Sequence, residues 1–234
     1  MPTALITGAS RGIGAAVARA LASTHTLLLG GRDADALAAV AADLPDATPW
    51  PVELTDADAL AAAVAGIDRL DLLVHSAGVA RVGPLSEASA DLWRSTYEVN
   101  VVAVAELTRL LLPALRAAGG RVVLVNSGAG RAAHAGWGPY AASKFALRAY
   151  ADVLREEEPA LRVTTVFPGR TATDMQKTVR ADEGGAYEPD RYLRPESVAE
   201  AVRYAALAPD DAHLTEVVVR SAADYCNEVM ERAG

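Results

Sequence analysis

Short apolar runs alternate with longer stretches in which apolar residues recur every three or four positions, from the first residues almost to the last. The short runs are the pattern of buried strands, and the longer recurrence is that of amphipathic helices. Strands are predicted at 3–7, 26–30, 48–52, 70–75, 120–126, 161–167 and 214–219. Helices are predicted between them, from the second Gly-rich residues to about 21, at 34–43, at 56–65, over about 90–117, at 138–158 and at 195–207. Strand–helix alternation of this kind predicts a parallel sheet covered on both faces, hence a doubly wound α/β fold with seven strands in one domain spanning 1–234. The third strand carries Pro49 and Pro51. Proline lacks the N–H that a central strand donates, so this strand belongs at an edge. The strand order 3-2-1-4-5-6 of doubly wound sheets also puts the third strand at an edge, and the two inferences agree. Pro113 should bend or shorten the long helix. The stretch 170–194 is polar and irregular, too long for a simple connection, and reads as a lid or substrate loop.

Composition narrows the class. The chain has 234 residues, 51% of them hydrophobic and only 5% aromatic, so small aliphatic side chains fill the core. The formal net charge of -8 argues against nucleic-acid binding, which needs a basic face. Cys226 is the sole cysteine, so no disulfide forms within the chain, which fits a reducing cytoplasm. No stretch reaches the ~18 apolar residues of a membrane span. The expectation is a soluble cytoplasmic protein with no membrane partner and no metal site.

The candidate chemistry begins directly after the first strand, at Gly8-Ala-Ser10-Arg11-Gly12-Ile13-Gly14. A Gly-rich turn from a strand into a helix allows a sharp bend, close approach to a phosphate and tight helix packing, and the helix N-terminus offers free N–H groups to an anion. The spacing Gly-x-x-x-Gly-x-Gly differs from the more familiar Gly-x-Gly-x-x-Gly. The second strand ends at Gly30-Gly31-Arg32-Asp33. In dinucleotide sites this position lies beside the adenosine ribose, where an acidic residue binds a 2′-hydroxyl and an arginine binds a 2′-phosphate. Arg32 and Arg11 therefore favour NADP(H) over NAD(H), while Asp33 reads as a helix N-cap; a solvated Arg32 is the alternative. Glu53 and Leu54 follow the third strand, either near the adenine or in a surface turn. Ser76-Ala77-Gly78 ends the fourth strand with small residues where a cofactor would cross. Asn100 lies within the apolar stretch Tyr97-Glu-Val-Asn-Val-Val and marks either a buried polar network or a helix irregularity.

The stretch from Ser127 to Lys144 concentrates reactive groups. Tyr140 and Lys144 are four apart and share one helix face, and a Gly-rich loop lets Ser127 fold back towards them. A phenol ionises near pKa ~10. A cation at ~4 Å in an effective dielectric of ~20 interacts by roughly 4 kcal/mol, enough to lower that pKa by about 3 and make Tyr140 a proton donor and acceptor near neutrality.

Taken together, these pieces resemble the short-chain dehydrogenase/reductase family in its single-domain, Rossmann-like three-layer form, over nearly the full chain. Thr7-Gly8-x-x-x-Gly12-x-Gly14 is similar to its cofactor motif. Asn100, Ser127, Tyr140 and Lys144 match its tetrad, and Pro168-Gly169 with Thr171 or Thr173 matches its nicotinamide-side segment. The family usually carries Asn-Ala-Gly where this chain has Ser76-Ala77-Gly78, and the shorter Ser76 implies a modest loss of rigidity. The resemblance implies hydride transfer between a nicotinamide and a carbonyl or secondary alcohol. In it Tyr140 moves the proton, Lys144 lowers the phenol pKa and binds ribose hydroxyls, Ser127 bonds the carbonyl oxygen, and Asn100 holds a water linking Lys144 to solvent. It also implies a homodimer or homotetramer built on the two long helices.

Trp137 either lines the substrate pocket or packs its own loop. His134 reads as a partly exposed loop residue, Arg131 and Arg170 as surface groups unless the substrate is acidic, and Cys226 as inert or interfacial. A non-catalytic NADP(H) sensor on the same fold is the competing reading. Sensors of this kind typically lose the tyrosine or the lysine, and this chain has both.

Overall fold

The computed structural model describes residues 1–222. Seven parallel strands, β1 (Thr3–Thr7), β2 (Thr26–Gly31), β3 (Ala47–Pro51), β4 (Leu72–His75), β5 (Arg121–Val125), β6 (Arg162–Pro168) and β7 (Glu216–Val219), pair in the order β3-β2-β1-β4-β5-β6-β7. β3 is an edge, as its prolines require, and pairs only with β2.

Side chains alternate across the sheet, and each face has its own core. Ala4 and Ile6 of β1 join Leu72, Val74, Val123 and Val125 on one side, beneath α1 (Gly12–Leu21), α2 (Ala34–Ala42) and α8 (Pro195–Ala206). Leu5, Leu73, Val122 and Leu124 face the opposite way, against α3 (Ala57–Val64), α5 (Ala103–Ala118) and α6 (Gly138–Glu157). This is the doubly wound, Rossmann-like three-layer architecture. Asp33 and Asp56 cap α2 and α3, accepting from the N–H groups of Ala36 and Ala59, so the N-cap reading of Asp33 holds.

Two expectations are corrected. Pro113, expected to bend or shorten the long helix, does not shorten it: it lies inside α5, which runs on to Ala118 and stops at Gly119 in the left-handed region. The interruption comes earlier. α4 (Ala90–Tyr97) passes into a π-helical turn, Glu98–Val102, with buried Asn100 at its centre. The stretch 170–194 is not irregular throughout. It forms α7 (Asp174–Asp182), capped by Thr173, and a short 3-10 turn, Pro189–Arg191. Only Gln176 and Val179 of α7 are buried, so the helix lacks the apolar stripe that would have announced it. Cys226 lies outside the described residues. Among the described residues no helix is long and apolar enough to cross a membrane.

Candidate active site

The turn from β1 into α1 is a cradle closed to side chains at Gly8 and Gly14. A methyl group on Gly14 would lie 2.2 Å from the Gly8 carbonyl oxygen, and one on Gly8, whose φ is +68°, would lie 2.9 Å from the Ala77 backbone. Backbone N–H groups and the N-terminus of α1 are thus left bare at the carboxyl ends of β1 and β4, a fit for the pyrophosphate of a dinucleotide. Gly14→Ala is expected to push the turn apart, weakening dinucleotide binding at least tenfold and lowering Tm, as read by fluorescence titration and thermal melting.

Thr7 ties this cradle to the fourth strand. Its hydroxyl accepts from the N–H groups of Ser76 and Ala77 and donates to the Val74 carbonyl. Thr7 therefore braces the Ser76–Gly78 turn, the task for which Ser76 looked too short. A Cβ on Gly78 would sit 3.2 Å from Asn100 Oδ1 and 3.8 Å from Lys144 Nζ, which places that turn directly beside both side chains.

α6 carries Tyr140 and Lys144 on one face, both buried. Lys144 Nζ donates to the Val125 carbonyl at 3.2 Å and lies 5.8 Å from the centre of the Tyr140 ring. Ser127, just past the end of β5, accepts from Ala129 N–H, and its hydroxyl lies close enough to the Tyr140 phenol to lower the phenol's pKa. Asn100 is fully engaged: Oδ1 accepts from Val79 N–H, and Nδ2 donates to the Val79 carbonyl and to Ser143 Oγ. Ser143 in turn donates to the Tyr140 carbonyl. Asn100 thus joins the 79–80 segment to α6, and both readings made of it, polar network and helix irregularity, are true at once.

Two members of this network escaped the sequence reading. Asn126 Nδ2 donates to the Lys144 carbonyl while its Oδ1 accepts from Ser127 N–H, which fixes Ser127 relative to α6. Ser143 links Asn100 to Tyr140. The available signal was a buried amide at a strand end directly before Ser127, and a hydroxyl one residue before Lys144.

Electrostatics correct one expectation. Burial raises the Tyr140 phenol above its ordinary pKa, against a smaller lowering by the Ser127 hydrogen bond. The ammonium was expected to win, but it is itself desolvated, and burial lowers Lys144 to about 8. Desolvation is the largest cause of both shifts in the chain alone.

The remaining expected residues divide. Arg32, with its side chain 77% exposed, stands at the end of β2 with its guanidinium 3.6 Å from Glu53, which also accepts from Thr55. Leu54 packs partly into the core behind α3. Arg11 precedes α1 in extended conformation, and Ser10 and Ile13 flank the turn, half-buried. Pro168 ends β6, Gly169 N–H donates to the Val219 carbonyl, and Thr171 donates to the Gly169 carbonyl. Thr173 stands over Gly12, 3.4 Å from where a side chain there would begin, so α7 starts against the glycine turn. The Trp137 ring lies tilted at 58° against Tyr140, ring centres 5.7 Å apart, and Arg170 lies 5.4 Å over the indole. Arg131 lies over Phe167, and His134 is exposed.

Comparison with known proteins accords with this geometry. The family model for short chain dehydrogenase matches residues 2–184. The uncharacterized oxidoreductase YciK of Escherichia coli (strain K12) is 34% identical over 209 residues, covering 83% of this chain and 81% of that protein. Glycine betaine reductase ATRR of Emericella nidulans is 35% identical over 232 residues; the match takes in 92% of this chain but only 18% of that much longer protein. Among solved structures, an alcohol dehydrogenase from the archaeon Thermococcus sibiricus, complexed with 5-hydroxy-NADP, superposes with a TM-score of 0.87 at 29% identity, covering 95% of this chain and 97% of that one. A glycine cradle beside a half-buried serine and a buried tyrosine and lysine, on a seven-stranded doubly wound sheet, thus carries the family's own sequence signature: the chain belongs to the short-chain dehydrogenases and is an NAD(P)-dependent oxidoreductase.

Proposed function

We propose that this chain reduces the carbonyl group of a small molecule with NADPH, Tyr140 giving the proton. The observation that carries the reading is the convergence of Ser127, Tyr140 and Lys144 beside the Ser76–Gly78 turn and the glycine cradle. Gly8, Gly12 and Gly14 would hold the pyrophosphate, Lys144 the ribose hydroxyls, and Pro168, Gly169, Thr171 and Thr173 the nicotinamide side. When bound, the reduced nicotinamide supplies the hydride.

The chain's own groups do the rest. Ser127 Oγ donates to the carbonyl oxygen where negative charge develops. Tyr140 hands that oxygen its proton, and its raised pKa keeps the phenol protonated at neutral pH, which suits the reductive direction. The Asn100–Ser143 and Asn126 bonds hold α6 in register, so the phenol and the ammonium stay in place.

Preference for NADPH rests on Arg32, supported by Arg11. Arg32 is exposed and loosely paired with Glu53, so a 2′-phosphate can compete for its guanidinium. Arg32→Ala is expected to weaken NADPH binding about tenfold and leave NADH unchanged; equal affinities of the wild type for the two cofactors would refute the preference. A ketone panel assayed with each cofactor tests the activity itself.

A further inference from the structure

The inner face of α7 connects the two halves of the site. Thr173, Gln176 and Val179 are spaced three apart, so they line one side of the helix and its cap. Thr173 stands against Gly12 of the cradle. Val179 packs in an apolar cluster with Ala80, Ala129, Tyr140 and Ala141, against which Val82 and Trp137 also lie. Gln176 falls between these two ends. It is 7% exposed, and its Nε2 has no hydrogen-bond partner among the described residues. A buried amide donor without a partner is costly, and its retention beside a reactive centre points to a ligand that supplies the acceptor.

Charge at this end is already spoken for. Arg81 forms a two-pronged pair with Asp182, Arg170 forms one with Glu183, and Arg180 also bonds Glu183. Arg170 lies over Trp137 as a packed, neutralised plate. Arg81, Arg170 and Arg180 are therefore engaged within the fold, in keeping with the reading of Arg170 as a surface group and not as a receptor for an acidic substrate.

We propose that Gln176 determines substrate choice. It selects a neutral ketone with an apolar arm against Trp137 and Val179 and a second, uncharged acceptor, such as an ester carbonyl, that takes the Gln176 Nε2–H bond. The inference rests on Tyr140 facing the substrate carbonyl: Ser127 and Tyr140 serve that oxygen, so Gln176 needs another.

The test compares wild type with Gln176→Leu, using NADPH and three substrates of similar length: a β-keto ester, a plain alkyl ketone and a β-keto acid anion. The wild type should favour the ester over the alkyl ketone in kcat/KM by roughly ten- to a hundredfold, and should turn over the anion poorly. Gln176→Leu should lose that preference by losing ester turnover alone, with the alkyl ketone and the NADPH Kd unchanged. The unliganded variant should also melt higher than the wild type, because an unpaired buried amide is gone. An unaltered ester preference, a preference for the anion, a weakened NADPH Kd, or a lowered Tm would each overturn the proposal. If the wild type reduces no ketone at all, the reductase reading has failed. The proposal is then judged by melting of the NADPH-loaded proteins: an ester-dependent rise in wild type but not in Gln176→Leu supports it, and no rise in wild type overturns it.

Discussion

Tyr140→Phe is expected to lower kcat for ketone reduction by about a thousandfold while leaving the NADPH Kd within twofold of wild type. The substitution removes one oxygen and keeps the ring, so the contacts with Trp137 and the apolar cluster around it survive. On the proposed mechanism, what disappears is the proton that the carbonyl oxygen must receive. Water has little access to replace it, because Tyr140 as a whole is only 7% exposed. Single-turnover absorbance at the nicotinamide band and a fluorescence titration of NADPH separate the two effects. A variant that retained a tenth of wild-type turnover would mean that another group moves the proton.

Lys144→Met should have two opposite effects of comparable interest. Burial holds the ammonium at about 8 instead of 10.5. Between those values the unfolded chain binds more protons than the folded one, so folded stability rises with pH across that window; below about 8 the whole penalty is present. The difference corresponds to about 3 kcal/mol at pH 7. Methionine fills similar space without charge. Part of the gain is offset because the Val125 carbonyl loses its donor, at about 1 kcal/mol. The free variant should therefore melt roughly 5 °C above the wild type at pH 7. That advantage should shrink as pH climbs past 8, be gone before 10.5, and reverse above it because the Val125 bond is still missing. Turnover should fall by two to three orders of magnitude, on the order of what a lost positioning and charge-stabilising group costs. Melting curves at neutral and alkaline pH, with matched assays, check both parts. A variant less stable than wild type at pH 7 would show that the ammonium is better paired than its surroundings indicate.

The strands were legible because each is a short apolar run between turn residues, and β3 announced its edge position through Pro49 and Pro51. The cradle and the Tyr140–Lys144 pair were legible because their spacing alone puts them at a strand–helix turn and on one helix face. α7 was hidden because it buries only Gln176 and Val179, and its outer face is polar. The π-helical turn at Asn100 was half visible: a lone amide among valines shows that something polar is buried, not which backbone groups it holds. The roles of Asn126, Ser143 and Thr7 depend on contacts across 18, 43 and about 70 residues, which no local pattern encodes. The direction of the Tyr140 shift was misread for the same reason. Coulomb attraction follows from spacing, but desolvation follows from what packs around the pair, including Val179 from a helix the pattern did not show.

The most direct measurement of the central claim follows the label from NADPH deuterated at nicotinamide C4 into a neutral ketone, with wild type and Tyr140→Phe side by side. The account predicts an alcohol carrying one deuterium on the former carbonyl carbon with the wild type, and formation slowed about a thousandfold in the variant. NADPH bound tightly with no deuterium in any product, or equal rates for the two proteins, would contradict it.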